Sequence, residues 1–236
     1  MGKPGKKYRS ARERIEPSRL YTLEEAVKLL KEMVFARFNE TVEFVASLGI
    51  DPKRSDQMIR GTVSLPHGTG KTIRLLAFCK PEQEKEALEA GADYAGSGDL
   101  VEKIKGGWLD FDVAVAEKSM MREISPLGKI LGPRGLMPSP KAGTVTEDIP
   151  RAISELKAGK IEFKVNKYGD VQVAVGKISF TPEQLIENII CLTQEIDRLR
   201  PPAVKGKYIK KVVLCTTMSP SVWLDPLVLA AAAKSE

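Results

Sequence analysis

Histidine is nearly absent from this chain: His67 is the only one in 236 residues. It has no His, Cys or carboxylate near it in sequence, so Ser-His-Asp or Cys-His nucleophilic chemistry has no local support. His67 is expected to be a polar linker residue. Cysteine is also scarce. Cys79, Cys191 and Cys215 each sit in an apolar run and form no Cys-x-x-Cys pair. They are expected to be buried, reduced thiols, not a disulfide frame or a zinc site. No run of eighteen apolar residues occurs, so no membrane span is expected. The opening MGKPGKKYRSARERIEPSR has no apolar stretch behind its charges, which argues against a secretory signal, and Glu13 and Glu16 are unlike a transit peptide. The expectation is a soluble, cytoplasmic protein with no metal and no cofactor.

What is present is apolar content of 42% and a net charge of +6, unevenly placed. Residues 1–19 carry seven Lys/Arg against two Asp/Glu, and residues 160–211 carry ten against six. Residues 68–159 carry thirteen against fourteen, a net of −1. The ends of the chain therefore hold the positive excess, as expected if they meet a polyanion while the middle has another task.

Hydrophobic periodicity divides the chain in the same way. Thr22-Leu-Glu-Glu25 is a capping box ahead of an apolar stripe at Ala26, Val27, Leu30, Met33 and Val34, which predicts a helix. Alternation over 42–48 predicts a half-buried strand, and Ile59–Leu65 a second. From Ile73 the pattern changes to short apolar strands alternating with helices. The strands are expected at 73–78, 93–95 and 113–116. The helices are expected from Pro81 to Gly91, over 99–105 and over 147–156. Such alternation predicts βαβ units and a mostly parallel sheet. Residues 126–144, with four glycines and four prolines, read as a long rigid loop. Alternation returns at Ile161, Phe163 and Val165 and again at Val171, Val173 and Val175. The turn Asn-Lys-Tyr-Gly-Asp lies between them, predicting a hairpin. Thr181-Pro-Glu-Gln184 starts a helix buried through Leu185, Ile189, Leu192 and Ile196, and Pro201-Pro202 ends it. Tyr208–Cys215 is expected to be the last strand, followed by a frayed Ala-rich tail.

The fold class expected is therefore two domains, a discontinuous α+β domain interrupted by an inserted Rossmann-like three-layer α/β domain. The bounds are 1–67 with 159–236 for the first and 68–158 for the insert. Gly68, Gly70, Ala158 and Gly159 mark the two crossings and are expected to act as a hinge.

Pro66–Thr72, PHGTGKT, raises the possibility of a phosphate cradle. Gly70-Lys71-Thr72 fits the end of that motif, but Leu65 stands where its first glycine is required. A strand, with no helix dipole to face an anion, is expected directly after it. No Gly-x-Gly-x-x-Gly occurs either, so a nucleotide enzyme is disfavoured. Asp110 and Asp112, at strand spacing, fit an exposed strand end better than an acid/base pair.

Several long stretches resemble the bacterial large-subunit ribosomal protein L-one (uL-one) family. They are LGKILGPRGLMPSPKAGTVT, GADYAGSGDLVEKIKGGWLDFD, KAGKIEFKVNKYGDVQVAVGKISF, FNETVE, LPHGTGK and KGKYIKKVVLCTTMSPSV, in order over roughly residues 5–225. The resemblance implies a non-enzymatic protein whose terminal domain binds large-subunit ribosomal RNA at the mobile stalk near the tRNA exit site. It implies help in releasing deacylated exit-site tRNA and repression of the protein's own messenger RNA through a similar RNA structure. No small-molecule substrate and no membrane are implied. By matching motifs, RNA binding is carried over onto Phe38, Glu40 and Thr41, and onto Thr216, Thr217, Met218 and Ser219 before Pro220. Hydroxyls and exposed main chain can read 2′-hydroxyls and phosphates, while Phe and Met pack on ribose or base faces. The lesser alternatives are a core position for Phe38 and a plain strand end for Thr216–Thr217. Ser219 stands where the family pattern has glycine, and Gln172 where related sequences often show histidine. Lys164, Lys167, Tyr168, Lys205, Lys207 and Tyr208 form a basic set with interleaved aromatics, suited to phosphate contacts. The basic N-terminal tail is expected to order only on RNA.

Overall fold

The computed structural model describes residues 5–204 and 206–235. In chain order its first elements are α1 (Lys6–Glu13), α2 (Leu23–Glu32), β1 (Thr41–Leu48), β2 (Arg60–Ser64), β3 (Leu75–Phe78) and α3 (Glu84–Glu89). Next come β4 (Tyr94–Gly96), α4 (Gly98–Lys105), β5 (Val113–Glu117), α5 (Met121–Ile124), α6 (Gly128–Leu131), β6 (Val145–Thr146) and α7 (Ile149–Lys157). The chain closes with β7 (Lys160–Lys164), β8 (Asp170–Lys177), α8 (Pro182–Arg198), β9 (Ile209–Thr216), β10 (Val222–Leu224) and α9 (Pro226–Ser235). Contacts group these into two compact units: residues up to Gly70 with those from Ile161 onward, and Lys71–Lys160. Among the described residues no helix is long and apolar enough to cross a membrane.

The terminal unit is α+β. Its antiparallel sheet has the order β10-β9-β1-β8, with Thr41 opposite Lys177 and Val42 opposite Thr216. A separate pair joins β2 to β7. Along β1, residues 42, 44, 46 and 48 are buried while 41, 43, 45 and 47 are not, the period-two signature of a sheet covered on one face. The covered face meets α2 and α8, and Phe44, Leu30, Ile189 and Leu192 lie wholly inside that core. Each such side chain contributes about 2–3 kcal/mol by leaving water. Both helices start at reciprocal capping boxes, Thr22 with Glu25 and Thr181 with Gln184.

The inserted unit is a three-layer α/β structure. Its parallel sheet has the order β4-β3-β5-β6. All four residues of β3 are buried, because alternate side chains feed two different cores. Leu76 and Phe78 pack with Leu100, Ile104, Ile124 and Leu131, while Leu75 and Ala77 pack with Ala87, Ile149 and Ile153. Strand order reverses between β3 and β5, the place where such sheets hold nucleotides. Here that edge carries an ion pair, Lys80 Nζ to Glu117 Oε1 at 2.9 Å, and the turn after β3 reads Cys-Lys-Pro-Glu-Gln without a glycine.

Several sequence expectations are corrected. Residues 6–13 of the basic N-terminal segment are already helical in α1, because Ala11 is buried and Arg14 donates to the Glu32 carbonyl at the end of α2, 2.8 Å; residues 1–4 lie outside the described residues. The Ala-rich tail is α9, which Pro226 opens and buried Leu229 anchors. The 126–144 loop winds its first part into α6 and a preceding helical turn, since Ile124, Leu127 and Leu131 are fully buried on one side. The predicted 161–175 hairpin keeps only its tip, the bridge Val165–Val171; its arms β7 and β8 join different sheets. β9 is not the last strand, since β10 follows it. The charged helix α3 starts at Glu84, three residues after Pro81. Only Cys79 is fully buried, and Cys191 and Cys215 are half-buried free thiols.

Candidate nucleic-acid interface

Sheet register brings three distant segments to one end of the terminal unit. Residues 38–41 lead into β1, residues 177–179 leave β8, and residues 216–219 leave β9. Their organiser is Glu40, which has no exposed surface. Its Oε2 accepts from the Thr216 hydroxyl and, at 3.0 Å, from the Met218 N–H. Its backbone carbonyl accepts from Ile178 N–H at 2.9 Å, tying the end of β8 to the same point. The Thr41 N–H donates to Thr217 Oγ1 (3.2 Å) and Lys177 Nζ donates to Thr41 Oγ1 (2.7 Å).

Ser219 completes the loop. Its Oγ accepts from Thr216 N–H at 3.0 Å and donates to the Pro220 carbonyl at 3.1 Å, while its own N–H donates to Thr216 Oγ1 at 3.3 Å. No non-glycine described residue has a positive φ, so this loop makes no glycine-only demand at position 219. The hydroxyl instead adds a lock that glycine could not supply.

The sequence-derived residues thus separate by role. Phe38 (53% exposed), Met218 (47%) and Thr217 face solvent, and Thr41 is half-buried. Glu40 and Thr216 are interior and position the loop. Exposure rules out the core alternative for Phe38.

Lys167, Tyr168 and Lys207 lie at the other end of the same sheet, and Lys164 ends β7 in the neighbouring two-stranded pair. Lys164, Lys167 and Lys207 are exposed, and Tyr168 is 73% exposed with Lys167 Nζ 5.2 Å from its ring centre. Asn166 Oδ1 shapes that turn by accepting from the N–H groups of Tyr168 (2.8 Å) and Asp170 (3.0 Å). Gly169 takes a φ of 87°, which a side chain would strain. Its carbonyl accepts from Leu48 N–H at the far end of β1. Eight residues of strand separate the two clusters, about 25 Å. Tyr208 does not join the set. It is 4% exposed, its hydroxyl donates to the Ile196 carbonyl (3.0 Å), and burial pushes its phenol above the usual range. Lys205 lies outside the described residues.

The PHGTGKT segment is not a phosphate cradle. No helix follows Thr72, and β3 begins at Leu75. Lys71 is not a free solvated cation: its Nζ pairs with Asp112 Oδ1 at 2.8 Å. That bond and the Arg74 N–H and guanidinium hold the Asp112 carboxyl down to about 2. Asp112 is therefore committed to structure, while Asp110 lies near Arg74 at the exposed strand end. His67 has the partner its local sequence lacks, since its Nε2 contacts the Glu187 carboxylate.

Sequence reasoning missed Asn188. This wholly buried helix residue accepts from His67 N–H (3.1 Å) and donates to the carbonyls of Gly68 (3.0 Å) and Val175 (2.7 Å). Gly68, Gly70 and Gly159 have positive φ values of 63°, 67° and 109°, and Ala158 caps α7 in the ordinary helical region. Among the described residues no three His, Cys, Asp or Glu side chains cluster as a metal site would require.

Comparison with known proteins gives one consistent family. The model of the ribosomal protein L1p/L10e family matches residues 30–220. The chain is 52% identical over 233 residues to the large ribosomal subunit protein uL1 of Thermobifida fusca (strain YX), covering 99% of each chain. It is 52% identical over 225 residues to the protein of that name from Protochlamydia amoebophila (strain UWE25), covering 95% of each. It is 50% identical over 227 residues to that of Syntrophobacter fumaroxidans (strain DSM 10017 / MPOB), covering 96% of this chain and 97% of the relative.

Proposed function

The chain belongs to the ribosomal protein L1p/L10e family, and from that premise we propose that its terminal unit grips large-subunit ribosomal RNA at the mobile stalk. It is a structural protein of the large ribosomal subunit that binds ribosomal RNA in the cytoplasm, and it is not an enzyme. The finer reading adds help in releasing deacylated tRNA from the exit site, and repression of its own messenger by a similar RNA structure. In this reading the inserted α/β unit, which carries no positive excess, does not grip the stalk RNA. In the same reading the chain bends at Gly70 and at Ala158–Gly159, while Gly68 is held to Asn188.

The observation that carries the reading is the loop anchored on Glu40. The 216–219 loop and the 38–41 segment tied to it present Thr217, Met218, Phe38 and Thr41 beside the Lys177 ammonium, combining hydroxyls, apolar faces and a cation, the set suited to ribose, base and phosphate of a folded RNA. Pre-organisation matters because ordering such side chains at binding costs about 0.5–1.5 kcal/mol each.

Filter binding with a transcript of the stalk segment tests this. Met218→Ala is expected to leave melting unchanged, and Thr217→Val, which loses the bond from Thr41 N–H, to lower it slightly; each is expected to weaken binding about tenfold. Lys167→Ala is expected to act differently, lowering the log–log salt slope by about 0.7–0.9 with a modest loss of affinity. Wild-type affinity in both loop variants would remove the loop from the interface.

A further inference from the structure

Among the described residues the helices pack on one face of the four-stranded sheet, and the other face is exposed at 43, 172, 211 and 223 and half-buried at 45, 47, 174 and 213. The period-two burial of β1 and β8 places Val45 and Gln172 on that outer face, opposite each other in register. Val45 also faces Val213, and Val213 faces Trp223 on β10. Trp223 is 38% exposed, and at its edge Leu20 (54% exposed) precedes the bridge from Tyr21 to Leu224. Lys211 Nζ stands 5.6 Å from the Trp223 ring centre, which puts both on this face, and among the described residues Lys211 has no carboxylate partner.

We propose that this outer face, centred on Trp223 and Lys211, is a stacking platform for unpaired bases of the RNA held at the Thr217 loop. The proposal rests on the interface reading above. Its geometry is one of continuity. The row next to Trp223 and Val45 contains Glu43, opposite Cys215 and Ala174, and leads directly to Thr41, Lys177 and Thr217. The row on the other side contains Ser47, opposite Lys211 and Asp170, and leads to the turn that carries Tyr168. An RNA that touches both ends of the sheet crosses this face, because the opposite face is filled by α2 and α8. An indole presents a flat face that any base can stack on, and the adjacent ammonium can take a phosphate. Glu43 and Asp170 repel phosphate but accept from sugar hydroxyls and base amino groups, so the backbone is placed over Lys177 and Lys211, with bases turned toward the sheet.

Trp223 and Trp108 are the only two tryptophans, which makes the test direct. In the full chain carrying Trp108→Phe, titration with the stalk transcript is expected to quench the remaining indole emission. Trp223→Ala is expected to lower affinity about tenfold with an unchanged salt slope, and Trp223→Phe to recover most of that loss. Unquenched emission at saturating RNA, or wild-type affinity in Trp223→Ala while Thr217→Val still binds weakly, overturns the platform and leaves the loop standing. A protein occupant of this face would give that second pattern. Wild-type affinity in both Trp223→Ala and Thr217→Val overturns the platform and the interface reading together. Should Trp223→Ala fail to fold, the quenching and the Trp223→Phe affinity still decide.

Discussion

Replacing Glu40 with alanine is expected to cost about 3 kcal/mol of stability and at least about tenfold in RNA affinity. The residue is fully buried, and its carboxylate accepts from both the Thr216 hydroxyl and the Met218 N–H. Truncation leaves the buried Thr216 hydroxyl and the part-buried Met218 N–H without their acceptor and opens a cavity beneath the loop, so the two penalties add. Glu40→Gln is the finer probe. The second carboxylate oxygen, Oε1, is buried without a hydrogen-bond partner among the described residues. Glutamine would keep an acceptor for the loop and place an unpartnered NH2 group on that side, at a cost of about 1–2 kcal/mol. Thermal melting and filter binding on the same samples check the coupling. A Glu40→Ala protein that melts and binds like wild type would show that the loop does not depend on this anchor.

Asn188→Ala is expected to be almost as costly, about 2–3 kcal/mol, and to lower the melting temperature by about 5–10 °C. Its side-chain amide makes three hydrogen bonds in a site with no water contact, to His67, Gly68 and Val175. Alanine leaves the backbone groups of the Pro66–Gly68 turn unmatched against helix α8. Asn188→Asp should be worse, because it sets a carboxylate against two carbonyl oxygens, and it should recover partly as pH falls and the acid protonates. RNA affinity should change less than stability, since none of these contacts lies at the Thr217 loop. Melting curves at two pH values, with filter binding on the folded protein, separate the two effects. An Asn188→Ala protein as stable as wild type would mean the turn is held by other contacts.

Local signals in the sequence were legible because their partners are a few residues away. The capping boxes at Thr22 and Thr181, the alternation along β1 and the apolar strands of the parallel sheet all appear where their spacing put them. Misreadings concern groups whose partners are far along the chain. His67 looked solitary because Glu187 and Asn188 lie about 120 residues on. The 161–175 segment looked like a simple hairpin because nothing in it states that β2 will claim one arm and β1 the other. Tyr208, flanked by lysines, carried the pattern of a surface aromatic, yet a strand end that meets α8 turns it inward to Ile196. Glu40 is the one acidic residue among the residues carried over as RNA contacts, and a carboxylate facing phosphate would be repelled. Burial resolves the conflict, since its charge serves the loop from beneath. Lys177 and Trp223 were passed over because only the register of β1 with β8 and β9 places them beside the loop and on the open face.

The central claim is that the terminal unit grips the RNA through the Glu40-anchored end of its antiparallel sheet. Hydrogen exchange of the full chain, free and bound to the stalk transcript, tests it most directly. Added protection is expected at residues 38–44 and 214–223, with exchange over 84–105 unchanged. Protection gained within residues 84–157, with none at 216–219, would contradict it.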